Sequence, residues 1–275
     1  LDTGVALVAT LLLALSLPHV LYAAEARFYA LFVLATIANL YAFARLLERR
    51  DAPARWAAYA AIGALYFLSG LFALFVMGIQ YVVLGVLALR PLVRRNETDA
   101  GDRAAVRREL GALLASASAL AACVAAYFTD LTLGHKYGRN PARIPRTLDV
   151  TWSALLELSS DSRVLLALLL LLPIPLVWAW RRRRETFALI VTLELNLLAI
   201  PLIVEMARWK RYYFHPRHAL FLLPGIEILT AIALLAIVRA AAGRLAARLE
   251  GAVRTRSATA AACLIVLALQ LPGTA

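Results

Sequence analysis

Two groups of residues in this chain have the types and spacing to do chemistry. The first is Glu25 and Arg27, two positions apart in Ala24-Glu25-Ala26-Arg27-Phe28-Tyr29. Residues 4–24 before them and 28–44 after them carry no Asp, Glu, Lys or Arg. A charge in or beside a bilayer costs roughly a few kcal/mol or more unless it reaches water, a partner or a ligand. Such a pair can bridge to itself or to a lipid headgroup, or it can help hold an anionic ligand. The second group lies in Glu205-Met206-Ala207-Arg208-Trp209-Lys210-Arg211-Tyr212-Tyr213-Phe214-His215-Pro216-Arg217-His218. Its aromatic residues suit a membrane–water interface. Its cations Arg208, Lys210, Arg211 and Arg217, beside Tyr213, His215 and His218, suit a phosphate or diphosphate, because Arg presents a planar fork of donors to the oxygens. The alternative is an interfacial loop that meets lipid headgroups without selectivity.

The elements that must position these groups are membrane helices. Hydrophobic residues make up 63% of the chain and the mean hydropathy is +0.76, whereas soluble domains are nearer half apolar. A spanning helix needs about 20 largely apolar residues. The runs 4–23, 28–45, 56–69, 71–89, 110–128, 164–180, 186–205, 218–238 and 258–271 therefore predict an all-α, polytopic transmembrane bundle of about nine spans, a single transmembrane domain over residues 1–275. The third and fourth runs meet at Ser69-Gly70, as a tight hairpin or as one irregular segment.

Net charge is +12, but its distribution argues against nucleic acid. The arginines fall in short connections between apolar runs, where they act as topology signals. One alternating set of connections holds Arg45, Arg49, Arg50 and Arg55, then residues 90–108 with six arginines, then Arg181, Arg182, Arg183 and Arg184, and finally 239–256. This set carries most of the 29 basic residues and is the cytoplasmic one. Glu25–Arg27, the loop 129–163 and the loop 206–218 then share the extracytoplasmic face, where the two chemical groups can converge on one anionic lipid. In the long outer loop Leu148, Val150, Trp152, Leu155, Leu156 and Leu158 are interspersed with Asp149, Ser153 and Glu157. That pattern predicts a short interfacial helix. The stretch 239–256 reads as a solvated Ala/Arg/Leu helix near anionic headgroups. Cys123 and Cys263 lie within apolar runs and read as packing residues. Heavy Ala and Arg usage suggests a bacterial genome rich in GC, and hence a plasma (inner) membrane.

Inside the spans, Glu194 and Glu227 are the carboxylates that ask for a partner or a polar cavity. Structural hydrogen bonding between helices is one reading, aided by Asn196. Proton coupling in a transporter or flippase of a lipid-linked anion is the other. His19, after Pro18, reads as an interfacial histidine.

Three short stretches resemble a known family. Leu21-Tyr22-Ala23-Ala24-Glu25-Ala26-Arg27-Phe28-Tyr29-Ala30 looks like the E-A-R-x-Y step of polytopic GT-C glycosyltransferases, among them the dolichyl-phosphate-mannose protein mannosyltransferase-like and bacterial Rgt-like enzymes. Arg55-Trp56-Ala57-Ala58-Tyr59 and the turn Tyr66-Phe67-Leu68-Ser69-Gly70-Leu71-Phe72 are similar to their W-x-x-Y and hairpin region, with Ser69-Gly70 where a histidine is often found. Tyr213-Phe214-His215-Pro216-Arg217-His218-Ala219-Leu220-Phe221-Leu222-Leu223-Pro224 resembles their R-Y-to-Pro return into a membrane helix, with His218 where Tyr is commoner.

The resemblance implies an inverting enzyme on the extracytoplasmic face. The donor is a polyprenyl-phosphate sugar and the acceptor a lipid, glycan or protein hydroxyl. Arg27, Arg208, Lys210, Arg211 and Arg217 would hold the leaving lipid phosphate, supported by Glu25, Tyr29, Tyr213, His215 and His218. Glu25 would orient Arg27, bind a divalent metal or position the acceptor; no other cofactor is implied. The family's catalytic carboxylate follows an earlier span, well upstream of the E-A-R step. The only acid before that step here is Asp2, at the cytoplasmic end of its run, so the general base is expected upstream of Leu1 and the chain is expected to be a fragment. A non-catalytic membrane subunit that binds lipid headgroups is the remaining alternative.

Overall fold

Where water is scarce, a backbone must satisfy its own N–H and C=O groups, and helices do this within one segment. The computed structural model describes residues 2–24, 29–94, 100–134, 147–159, 169–210, 216–248 and 259–264. Over 23–24, 92–94, 100–102, 130–134, 206–210, 216–218 and 242–248, and at 147, 157 and 159, it describes the backbone alone. The described residues form helices joined by turns, with no strand among them.

In chain order the helices are α1 (Thr3–Leu15), α2 (Leu17–Ala24), α3 (Tyr29–Glu48), α4 (Pro53–Ser69), α5 (Ala73–Arg94), α6 (Ala100–Gly134) and α7 (Thr147–Ser159). They continue with α8 (Pro173–Trp180), α9 (Arg184–Leu197), α10 (Ala199–Lys210), a 3₁₀ helix (Pro216–Leu222) and α11 (Leu223–Arg248). Five stretches are long and apolar enough to cross a membrane: Tyr29–Glu48, Ala73–Pro91, Arg103–Thr129, Arg184–Glu205 and Ala219–Ala241. Thr3–Leu15 and Leu169–Trp180 are apolar but shorter. The run expected as one span over 4–23 is two helices, parted at Ser16. Pro18 has no N–H to donate, so the helix restarts, with Ser16 carbonyl accepting from Val20 N at 3.0 Å. The helix expected in the outer loop is present as α7, with Leu148 and Trp152 exposed and Ala154 and Leu158 buried.

The chain falls into two compact units. One comprises Leu1–Ala30, Thr151–Glu194 and His215–Ala275. Here α1 packs along α11, and α11 also meets α8. Val5, Val8, Ala9 and Leu12 lie on one face of α1 at helical spacing and are buried. A polar clamp holds the start of this pair. Asp2 Oδ1 accepts from Val5 N at 2.9 Å, capping α1, and Arg239 Nη1 donates to Asp2 Oδ2 at 2.9 Å. Gly4 lets a third segment approach: a Cβ there would stand 2.9 Å from Thr259 Oγ1 and 3.3 Å from Arg239 Nη2.

The other unit comprises Leu31–Val150 and Leu195–Phe214. In it α6 packs on α4 and α5, and α10 meets α5. Phe43, Leu46, Tyr59, Tyr66, Phe67, Met77 and Leu84 form its interior. A hydrogen-bonded chain joins three helices there: Tyr59 hydroxyl donates to Gln80 Oε1 at 2.7 Å, and Gln80 Nε2 donates to Asn39 Oδ1 at 2.8 Å. Tyr81 hydroxyl and Ser116 Oγ, 2.7 Å apart, link α5 to α6. At the polar end, Arg50 pairs with Glu109 at 2.5 Å, and Trp56 Nε1 donates to Arg50 carbonyl at 2.8 Å. The junction at Ser69-Gly70 is a break between two helices, since α4 stops at Ser69 and α5 begins at Ala73. Gly70 is extended, so its need for glycine is spatial: a Cβ would lie 2.6 Å from the ring of Phe32.

Two outcomes follow from this packing. Gly70→Ala forces the buried Phe32 ring to shift and is expected to destabilise by about 1–3 kcal/mol, read as a lowered thermal midpoint in detergent; an unchanged midpoint would mean that the ring has room to move. The clamp predicts a pH dependence. Burial acts to raise the Asp2 pKa, but the hydrogen bond from Arg239, the Val5 amide and the Arg239 charge outweigh it and hold it below the ordinary 3.8. A depressed carboxyl pKa stabilises the fold above the unfolded value and loses that contribution as pH falls through the folded value. The midpoint difference between wild type and Asp2→Asn, which keeps an N-capping side chain, should therefore be constant above pH 5 and shrink below about pH 4.

Candidate functional site

The charged step at 25–27 is framed by elements whose local folding is readable. α2 begins after the Ser16 break, with Pro18 in its first turn where the missing N–H costs nothing. It runs to Ala24, directly before Glu25. On the far side Tyr29 opens α3 and is buried, with its ring 5.7 Å from that of Tyr22 and tilted to it by 58°. The chain is thus anchored by an aromatic pair on either side of the step.

The return stretch is shaped by two prolines. Pro216 opens the 3₁₀ helix and Pro224 sits in the first turn of α11. Pro224 cannot donate to the carbonyl of residue 220, so one continuous α-helix through both segments would lack a hydrogen bond. The tighter 3₁₀ winding precedes the α-helix instead. Ala219, Leu220, Phe221 and Leu222 are all buried, which seats the 3₁₀ helix as an apolar wedge. This wedge packs against both α2 and α11. The segment that carries Arg217 and His218 therefore lies against the helix that leads into Glu25.

The structure places the sequence-assigned residues as follows. Tyr29 is buried as described. The backbone of Arg217 and His218 lies in the 3₁₀ helix, and that of Arg208 and Lys210 in the last turn of α10. Glu25, Arg27, Arg211, Tyr213 and His215 lie outside the described residues. Among the described residues no group of three His, Cys, Asp or Glu side chains is placed to hold a metal ion. Asp2, the one acid upstream of the step, is engaged as the cap of α1 and the partner of Arg239.

Glu194 and Glu227, the two carboxylates that the sequence places within apolar runs, lie on α9 and α11. Glu194 is half-buried, and its Oε1 is buried without a hydrogen-bond partner among the described residues; Asn196 Oδ1 is the same. Glu227 is half-buried on α11. The two helices approach closely beside them, since a Cβ on Gly225 would stand 3.3 Å from Leu193 Cδ2. Sequence reasoning missed the division of the first run and the 3₁₀ wedge. Pro18 and Pro224 were the available signals for both.

No family model, curated protein or solved structure matches the chain.

Proposed function

We propose that this chain is part of a membrane glycosyltransferase of about nine spans in the plasma (inner) membrane, which transfers a sugar from a polyprenyl-phosphate donor on the extracytoplasmic face. The acceptor is a lipid, glycan or protein hydroxyl. Its oxygen attacks the anomeric carbon, the bond from that carbon to the phosphate oxygen breaks, and configuration inverts. The hydroxyl proton goes to a carboxylate base, a role for which no residue of this chain is chosen. Negative charge grows on the departing lipid phosphate, and Arg27, Arg208, Lys210, Arg211 and Arg217 are the cations assigned to stabilise it there. Glu25 orients Arg27, holds a divalent metal or positions the acceptor.

The observation that carries this reading is the packing of the wedge Pro216–Leu222 against α2, because it favours a shared surface for Arg217 and the Glu25–Arg27 step. A second reading, a transporter or flippase of a lipid-linked anion, draws on Glu194, whose buried carboxylate oxygen has no hydrogen-bond partner among the described residues.

One comparison separates the two. Membranes containing the full-length protein are supplied with radiolabelled polyprenyl-phosphate hexoses and pentoses, and sugar transfer is measured. Arg27→Ala is expected to reduce transfer by on the order of a hundredfold or more, as loss of a donor to a developing oxyanion does, while Glu194→Gln leaves it unchanged. Undiminished transfer by Arg27→Ala would reject the role of Arg27. Absence of transfer by the wild type with every donor, together with lipid-anion translocation that Glu194→Gln abolishes, would replace the enzyme with the transporter.

A further inference from the structure

α8 and α11 meet at a groove none of whose lining residues is assigned to sugar transfer. The two helices enclose an open groove of about 610 Å³, within the range of small-molecule sites. Val177 and Trp178 form one wall, and Ala236 and Ala240 the other. The alanines are four residues apart and so share a face of α11, where their small side chains leave the groove its width. The end of the groove is lined by Arg181 and Arg182. Arg182 is held in place: its guanidinium carbon lies 4.9 Å over the ring of Trp178, one turn earlier. Stacking of this kind uses the face of the guanidinium and leaves its N–H edge free for oxygen acceptors.

The surroundings select the occupant. Arg181, Arg182, Arg183 and Arg184 are consecutive and exposed, and Glu185 follows them in the chain. Arg181 caps the C-terminus of α8 and Arg182 follows it, where the helix dipole favours cations. Val177 is 60% exposed, so the apolar wall of the groove opens outward. A soluble anion would satisfy the arginines and leave the apolar walls uncovered. A neutral lipid would cover the walls and leave the arginines unmatched. The loop also belongs to the arginine-rich set that the charge distribution assigns to the cytoplasm, where membrane leaflets are anionic.

We infer that this groove binds an acidic glycerophospholipid, with one acyl chain along Val177, Ala236 and Ala240 and the phosphate between Arg181 and Arg182. The site stands independently of the glycosyltransferase reading. Its role is to fasten the α8–α11 corner to the anionic leaflet.

The test is native mass spectrometry of the purified protein in neutral detergent, titrated with phosphatidylglycerol, phosphatidylcholine of the same chains, or inorganic phosphate. The wild type should retain phosphatidylglycerol about tenfold more tightly than phosphatidylcholine and retain no phosphate. The double variant Arg181→Gln/Arg182→Gln should lose that preference. Ala240→Leu, which fills the groove, should weaken both lipids by severalfold, and a thermal midpoint within error of the wild type certifies that its fold is intact. Should that midpoint fall, quenching of tryptophan fluorescence by phosphatidylglycerol brominated on its chains replaces it, and Trp178→Phe should remove a measurable share of the quenching. Preference lost equally in the control Arg103→Gln/Arg107→Gln/Arg108→Gln on α6 would show diffuse surface charge and overturn the proposal. So would phosphate binding as tightly as the lipid, or quenching that Trp178→Phe leaves unchanged.

Discussion

A polar atom that leaves water must find its partner inside the chain, and most of this structure can be read as answers to that requirement. The backbone answers with helices. Hydroxyls on those helices answer locally: Thr36, Thr192 and Thr230 each donate to the carbonyl one turn earlier, at 2.8 Å. Larger polar side chains answer across helices. The Tyr59–Gln80–Asn39 chain is wholly buried and ties α3, α4 and α5 together through two hydrogen bonds. Interhelical hydrogen bonds of this kind contribute about 0.6–2 kcal/mol each in membranes, modest in energy and strong in specificity. Among the described residues, the buried oxygens of Glu194, Asn196, Tyr66 and Thr151 are left without a hydrogen-bond partner.

Close approach is the complementary device. Between lipid-facing helices there is little hydrophobic gain from association, so shape and contact decide. Gly70 receives the edge of Phe32, and Gly225 receives Leu193. Outward faces remain apolar: Leu34, Tyr41, Leu65, Val82 and Val86 are all exposed, as helix faces meant for lipid would be. α6 is the extreme case, a 35-residue helix that buries little of its apolar stretch.

The two anion sites proposed here rely on one chemistry, guanidinium against phosphate oxygen, in loops that the charge distribution assigns to opposite faces. They differ in construction. The groove at Arg181 and Arg182 is assembled by two helices and a cation stacked on an indole. The donor-phosphate site would instead gather chain segments distant in sequence, through the wedge Pro216–Leu222 and α2. On these proposals the first site would hold a lipid in place, which suits an arginine stacked on an indole, and the second would release one.

Periodicity and composition were sufficient for the all-helical class and for the short helix around Leu148–Leu158. They marked Ser69-Gly70 as a junction without choosing between a hairpin and one irregular segment, and of about nine expected spans five are long and apolar enough to cross a membrane among the described residues. These depend on local chemistry, namely runs of apolar residues, helix breakers and the spacing of charges. The same local chemistry marked Glu25, Arg27 and the basic aromatic return as unusual. It also contained signals in Pro18 and Pro224 for the divided first run and the 3₁₀ wedge, whose meaning depends on what packs against them. Tertiary structure alone decided that Asp2 is tied to Arg239, that Gln80 joins Tyr59 to Asn39, that the wedge lies on α2, and that Ala236 and Ala240 open a groove under Arg182. Each of these joins residues far apart in the chain. Which helix faces another is set by the fit of whole surfaces and the pairing of buried polar atoms, and no window along the sequence contains both partners.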